Sequence, residues 1–435
     1  MIQCRQLISF LQNTMFAGIR SGNRQLRSWI TSRSSTVSNF FSTEGPAGDC
    51  FCLMDAFLLI AGTEIQSERT PKWTYGRQVR IFVNGLFFYQ SAVTALQMFY
   101  VGYGKNVAVD FQTIFMITKI VGVIAVLAKW LLLMFQKDSV CTVLNFITSN
   151  RVKSGDDAHD ELPQKQFNRS ACTMMRISFA MTAANAVLLF IPSEITEQAL
   201  GMPPPLTCYG KLATRLFYLT STQLMFLGIV PKFLSNMVCI GMLIMGMRCK
   251  LEILAHRYKC VLSQPFVNPE IYFSRLEQDV REVLNQQMEY WRHFAILQTL
   301  VEKAFFIAHF YAMYSIGSCL FLSHKTGFNF LSGTLVSLSV AYVLKYYMWC
   351  YLVDSVQDVG DSIGDLIYEH CAQMPYSRKH HSQYVRMKSS LVIIWMNTRT
   401  GYSMSCMGML EITTKTFVSF LNVVYSVTMF LINMV

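Results

Sequence analysis

The chain has 435 residues, of which 52% are hydrophobic, 13% aromatic and only 14% charged, against about 25% charged in an average soluble domain. With a mean hydropathy of +0.33, this excludes an ordinary soluble enzyme or binding module and points to an integral membrane protein. The net charge of +11 does not indicate a nucleic-acid partner, because the basic residues gather between apolar runs as membrane topology requires.

Residues 1–48 carry Arg5, Arg20, Arg24, Arg27 and Arg33 among serines, with no acid before Glu44. A mitochondrial-type targeting segment, a basic cytoplasmic tail and an over-extended gene model all fit that composition. Within 49–75, the apolar run over 50–62 is too short to span and is expected to be a re-entrant or interfacial helix. Apolar runs able to cross hydrocarbon, roughly 20 residues each, follow at 79–103, 110–136, 172–195, 213–247, 294–322, 329–353 and 409–434. The expected fold is therefore an all-α membrane protein of seven transmembrane helices. Spans one to four lie in 76–247, a helical anchor segment in 248–293, spans five and six in 294–353, a second anchor segment in 354–408, and the pore-lining half of span seven in 409–435.

The connections at 137–171, 248–293 and 354–390 hold Lys137, Arg151, Lys153, Lys165, Arg169, Arg248, Lys250, Arg257, Lys259, Arg275, Arg281, Arg378, Lys379, Arg386 and Lys388. The opposite connections hold little beyond Lys105, Lys211, Arg215 and Lys325. The positive-inside rule then places the N-terminus in the cytoplasm and the C-terminus outside. The sequon Asn168-Arg169-Ser170 falls on the inner side and is expected to stay bare.

The helix of span four is expected to project past the membrane through 248–258. Residues 275–293 repeat the pattern, with Leu276, Val280, Val283 and Leu284 on one stripe beside Glu277, Asp279, Arg281 and Glu282. Such stripes suit either a subunit interface or packing within the chain. The run Asp354, Asp358, Asp361 and Asp365 reads as the wet side of a helix extension.

No catalytic constellation is present, whether GxSxG, HExxH, a phosphate loop or a dinucleotide fingerprint. The protein is not expected to be an enzyme or to need a cofactor. The 13 cysteines are scattered, and Cys371 beside His370, with His380 and His381 nearby, lacks the spacing of a zinc clip. Lys119 and Lys129 stand out, since a charge near mid-bilayer is expensive and usually functional. Lys129 is close enough to the cytoplasmic end of its span to reach the interface.

The outer halves of the spans combine aromatic, Met and small polar residues: Phe111 and Phe115, Asn185 and Leu189, Tyr218 and Met225, Thr334 and Tyr342. Such a mixture suits a cavity for a small, mostly apolar molecule, and equally suits ordinary interhelical packing. In the last segment Lys415, Ser419, Asn422, Ser426 and Asn433 recur at helical spacing with Phe430 on the same face. A polar stripe in hydrocarbon needs protein or water beside it. The two readings are a buried polar seam and, in an oligomer, a water-filled pore in which a Phe430 ring forms a hydrophobic constriction.

Two segments carry a family likeness: YYMWCYLVDSVQDVGDSIGDLIYEHC at 346–371 and MLEITTKTFVSFLNVVYSVTMFLINMV at 409–435. With Ser355 or Ser362 before Ile367-Tyr368-Glu369, then Thr416-Phe417 and Tyr425-Ser426, the chain resembles the insect odorant receptors. CKLEILAHRY at 249–258 and FCLMDAFLLIAG are similar to further family motifs, so the likeness covers about residues 50–435. A tryptophan usual after the Tyr-Glu pair is replaced by Cys371-Ala372-Gln373. The ending Phe-Leu-Ile-Asn-Met-Val departs from the related gustatory receptors. The resemblance implies an odorant-gated, non-selective cation channel in the plasma membrane of a sensory neuron dendrite. It also implies a volatile small-molecule ligand and a heterotetramer with the shared odorant receptor co-receptor. Aligned on that family, Phe430 falls at the hydrophobic gate, where the co-receptor has valine, and Asn433 at a pore glutamine. A homomer of this chain is then expected to conduct poorly. The alternatives are a gustatory receptor of the same superfamily and a G-protein-coupled seven-helix receptor.

Overall fold

A computed structural model describes residues 50–435 apart from 64, 66–75, 104–110, 150, 191–207, 218–227, 267–268 and 435. The first helix, α1 (Cys50–Ile60), stops because Gly62 takes φ 74°. Thr63 N–H then reaches the Leu58 carbonyl and Gly62 N–H the Leu59 carbonyl, a left-handed closing turn that glycine enters without strain. α1 buries Cys50, Met54, Phe57 and Leu58 against the bundle.

The remaining helices are α2 (Gly76–Tyr103), α3 (Phe111–Phe135), α4 (Lys137–Thr148), α5 (Asp157–Phe190) and α6 (Val230–Leu262). They continue with α7 (Pro269–Thr326), α8 (Phe330–Gln373), α9 (His381–Thr400) and α10 (Thr414–Met434). Four helical stretches among the described residues are long and apolar enough to cross a membrane: Gly76–Phe99, Thr113–Phe135, Ile271–Thr326 and Phe330–Gln373. The protein is an all-α, multi-pass membrane protein.

α6 is the axis of the bundle and packs against α1, α3, α4, α5, α7 and α8. It is apolar all round from Met237 to Met247, and that whole stretch is buried, as a helix without a polar face must be. α7 is one continuous helix of 58 residues, so residues 269–293 of the anchor segment share with span five a single rod about 87 Å long. At the α7–α8 turn Gly327 takes φ 68° and the Asn329 side chain accepts from Ser332 N–H at 2.8 Å, capping α8.

The far end of the bundle, called the inner end below, is held by a polar hub. Tyr258 Oη donates to Gln287 Oε1, and Gln287 Nε2 donates to Thr398 Oγ1 at 3.2 Å and Tyr402 Oη at 3.1 Å. Gly360 lies against the Tyr402 ring so closely that a Cβ there would overlap it.

Two details differ from the sequence reading. The last helix begins at Thr414, not 409, because Leu410 and Glu411 pair with Cys406 and Ser405 in a two-residue hairpin that turns through Met407 at φ 50° and Gly408 at φ 70°. Asp354 is also more than a wet-face residue: its Oδ2 accepts from Thr414 N–H at 2.7 Å, placing a carboxylate on the positive end of the last helix. Asp358 and Asp365 are exposed as expected.

Candidate ligand site and pore helix

α3, α6, α7 and α8 converge on a cluster of aromatic rings. Tyr342 and Tyr311 hydroxyls lie 3.0 Å apart. Their rings meet edge to face, at 5.6 Å and 89°, and both rings pack on Phe233, at 5.7 and 5.8 Å. Two ammonium groups rest on the same Phe233 ring. Lys129 Nζ is 4.5 Å and Lys345 Nζ 3.7 Å from its centre, and Lys129 also lies 4.8 Å from the Tyr311 ring centre. Lys129 does not snorkel: it is 2% exposed, drawn inward where ring faces hold its charge.

Toward the α7–α8 turn lies an apolar cluster of Cys319, Phe321, Leu322, Leu331 and Leu335, on which Ile114, Phe115, Leu338 and Ile432 pack. Phe115 therefore shares a cluster with the last helix. Thr334 is buried, but its hydroxyl donates to the Phe330 carbonyl of its own helix at 2.9 Å. Phe111 opens α3, and Asn185 and Leu189 lie near the end of α5. Tyr218 and Met225 lie outside the described residues. Of the expected site residues, Phe115, Thr334 and Tyr342 thus fall in the bundle interior, while Phe233, Tyr311 and Lys345 were not singled out by the sequence reading. Lys345 carried a usable signal, being a charge in an apolar run like Lys129. Phe233 and Tyr311 carried none, since a lone aromatic in a span is common.

α10 has two opposed faces. Phe420, Val424 and Thr428 are buried, and Phe420 stacks on Tyr346, whose hydroxyl pairs with His309 Nδ1 at 2.8 Å. Lys415, Ser419, Asn422, Ser426, Phe430 and Asn433 are all exposed, Phe430 at 60%. At about 100° per residue the centre of this stripe lies roughly opposite the buried face. Ser426 Oγ donates to the Asn422 carbonyl at 2.9 Å, so its hydroxyl proton is satisfied within the helix.

Other polar features lie apart from these. Lys119 Nζ donates to Gln97 Oε1 at 2.6 Å. Lys232 Nζ donates to the Ala61 carbonyl at 2.6 Å and to Asn84 Oδ1 at 2.5 Å, tying α1 and α2 to α6. At the inner end a crevice of about 410 Å³ opens with His159, Glu252, His256 and Lys259 beside Leu162, Pro163, Val359 and Leu366. The His159 and His256 rings stack there at 3.5 Å. Burial, and then the neighbouring His159, hold His256 below the usual imidazole range. Among the described residues no group of three or more His, Cys, Asp or Glu side chains is placed to hold a metal ion.

A bundle of this architecture, with aromatic rings at its interior, defines a multi-pass helical membrane protein. The family model described as 7tm odorant receptor matches residues 101–425, and the chain belongs to that family, the insect odorant receptors. In fold it is similar to the olfactory receptor OR5 from Machilis hrabei, with TM-score 0.69 at 11% identity over 88% of this chain and 97% of that one. The same receptor in complex with eugenol matches with TM-score 0.70 at 13% identity over the same shares. No protein with a curated description matches the sequence.

Proposed function

We propose that the chain is the odorant-binding, tuning subunit of a ligand-gated non-selective cation channel. It assembles as a heterotetramer with the odorant receptor co-receptor in the plasma membrane, its N-terminus inside and its C-terminus outside. A small volatile molecule binds among Phe111, Phe115, Asn185, Leu189, Tyr218, Met225, Thr334 and Tyr342. Ser426 and Asn433 line the pore and Phe430 narrows it. The family and a structural relative in complex with eugenol support a small-molecule ligand.

One observation carries the link between ligand and pore: Ile432, between Phe430 and Asn433 on α10, packs on the cluster to which Phe115 belongs. A ligand displacing Phe115 acts on the last helix directly. To open the channel usefully it must favour the open arrangement by a few kcal/mol. The test is Phe430→Ala in cells co-expressing the co-receptor, with rectification, ion permeability or resting leak expected to change. Conduction identical to the parent in all three would remove Phe430 from the gate.

A further inference from the structure

We propose that Lys129 and Lys345 form an intramembrane anion site that takes the carboxylate of a ligand carrying an apolar chain. Four lysines, Lys119, Lys129, Lys232 and Lys345, lie within apolar helices. Yet α2, α3, residues 230–247 of α6, residues 303–326 of α7 and residues 330–353 of α8 contain no aspartate or glutamate. Lys119 and Lys232 are supplied with neutral acceptors, Gln97 for one and Ala61 with Asn84 for the other. Lys345 has one long bond to the Phe233 carbonyl, at 3.3 Å. Lys129 has no hydrogen-bond acceptor among the described residues and only ring faces against its charge.

Two lysine amines on one ring, in a medium of low dielectric and with no acid in the apolar segments named, repel one another when both are protonated. An anion within reach of both amines removes that repulsion and supplies an acceptor to Lys129, which has none among the described residues, and a stronger one to Lys345. The surroundings select its chemistry. Phe233, Tyr311 and Tyr342 offer apolar ring surface for a chain, and the paired tyrosine hydroxyls offer a donor to a second carboxylate oxygen. A carboxylate carries one charge and is neutralised with only one of the two lysines protonated, whereas a phosphate monoester, at about −1.5 to −2, requires both lysines to be charged side by side in the bundle interior. A carboxylic acid can cross hydrocarbon neutral and, where one lysine is unprotonated, give it the acid proton, leaving R–COO⁻ beside R–NH₃⁺.

Tyr342 belongs to both sites, so the inference rests on the ligand-site reading and names a ligand class for it. The test uses the full-length chain in lipid nanodiscs, its melting temperature followed against hexanoic acid, methyl hexanoate, oleic acid and sodium chloride. Hexanoic acid is expected to raise the melting temperature and the ester to leave it unchanged. Lys129→Met and Lys345→Met are each expected to weaken the effect about tenfold, the loss of one charge-assisted hydrogen bond. Competition between oleic and hexanoic acid makes a membrane fatty acid the occupant; no competition makes it a volatile acid. Equal shifts from acid and ester, a shift reproduced by chloride alone, or an effect undiminished in both variants overturns the proposal. Should either variant misfold, the acid and ester comparison on the parent chain decides alone. Currents in cells with the co-receptor separate the two readings. Hexanoic acid that binds through the lysines but opens no current sinks the gating reading only. An ester that opens the channel as well as the acid sinks the anion site only.

Discussion

The rings of Tyr346 and Phe420 lie face to face, 4.0 Å between centres and 8° from parallel, and join α8 to α10. Tyr342, in the candidate ligand site, is one helical turn before Tyr346. An aromatic pair of this kind is worth about 0.5–1.5 kcal/mol beyond its buried area. Tyr346→Ala is therefore expected to move the half-maximal ligand concentration by roughly twofold to tenfold with permeability ratios unchanged. Tyr346→Phe keeps the stack, loses the bond to His309, and is expected to fall between the two. A dose–response curve for Tyr346→Ala that superimposes on the parent would cut this link.

Phe115 and Tyr342 are the described candidates from the sequence whose side chains lie in the aromatic and apolar clusters. Phe115→Ala and Tyr342→Phe are expected to shift ligand potency and leave ion permeability alone. Potency held constant with an altered permeability ratio would place them in the conduction path instead.

Gln287 is fully buried and serves Tyr258, Thr398 and Tyr402 at once. Gln287→Leu strands the tyrosine hydroxyls away from water and is expected to cost about 2–3 kcal/mol of stability. Thermal denaturation of the full-length chain in nanodiscs measures it. A melting temperature equal to the parent's would mean that the hub is rewired without loss.

The depressed pKa of His256, caused first by burial and then by the stacked His159, with Asp156 opposing, makes stability depend on pH. His370 is lowered by burial too. A group easier to protonate unfolded than folded favours the unfolded chain once the pH falls below its unfolded value, near about 6.5. The melting temperature is thus expected to hold above neutrality and to drop as the pH falls toward 5. His256→Gln should flatten part of that slope, and a slope equally steep in the variant would assign it to other groups.

The fold was largely legible because long apolar runs are local signals. The polar stripe of α10 was legible for the same reason: six residues at helical spacing declare one face, and all six are exposed. What could not be read was partnership across the bundle. Nothing local says that Asp354 reaches the start of α10, or that Lys129 turns inward onto Phe233 instead of toward the interface. Such pairings depend on helix rotation and depth, which one sequence does not fix. The break between 248–293 and 294–353 was drawn where composition changes, yet a helical backbone continues through a change of composition when no proline or glycine interrupts it, and none does between Pro269 and Gly317.

That unbroken α7 makes a mechanical lever. Its inner portion is clamped by buried Tyr272, Phe273, Leu276 and Tyr290, while its other end carries Cys319, Phe321 and Leu322 beside Ile432. A pivot of one degree about Tyr290 moves the residues near Leu322, about 48 Å further along the rod, by roughly 0.8 Å, about half the rise of one helical residue. Small angular changes at the clamp therefore arrive beside Ile432, on α10, as a displacement of atomic size.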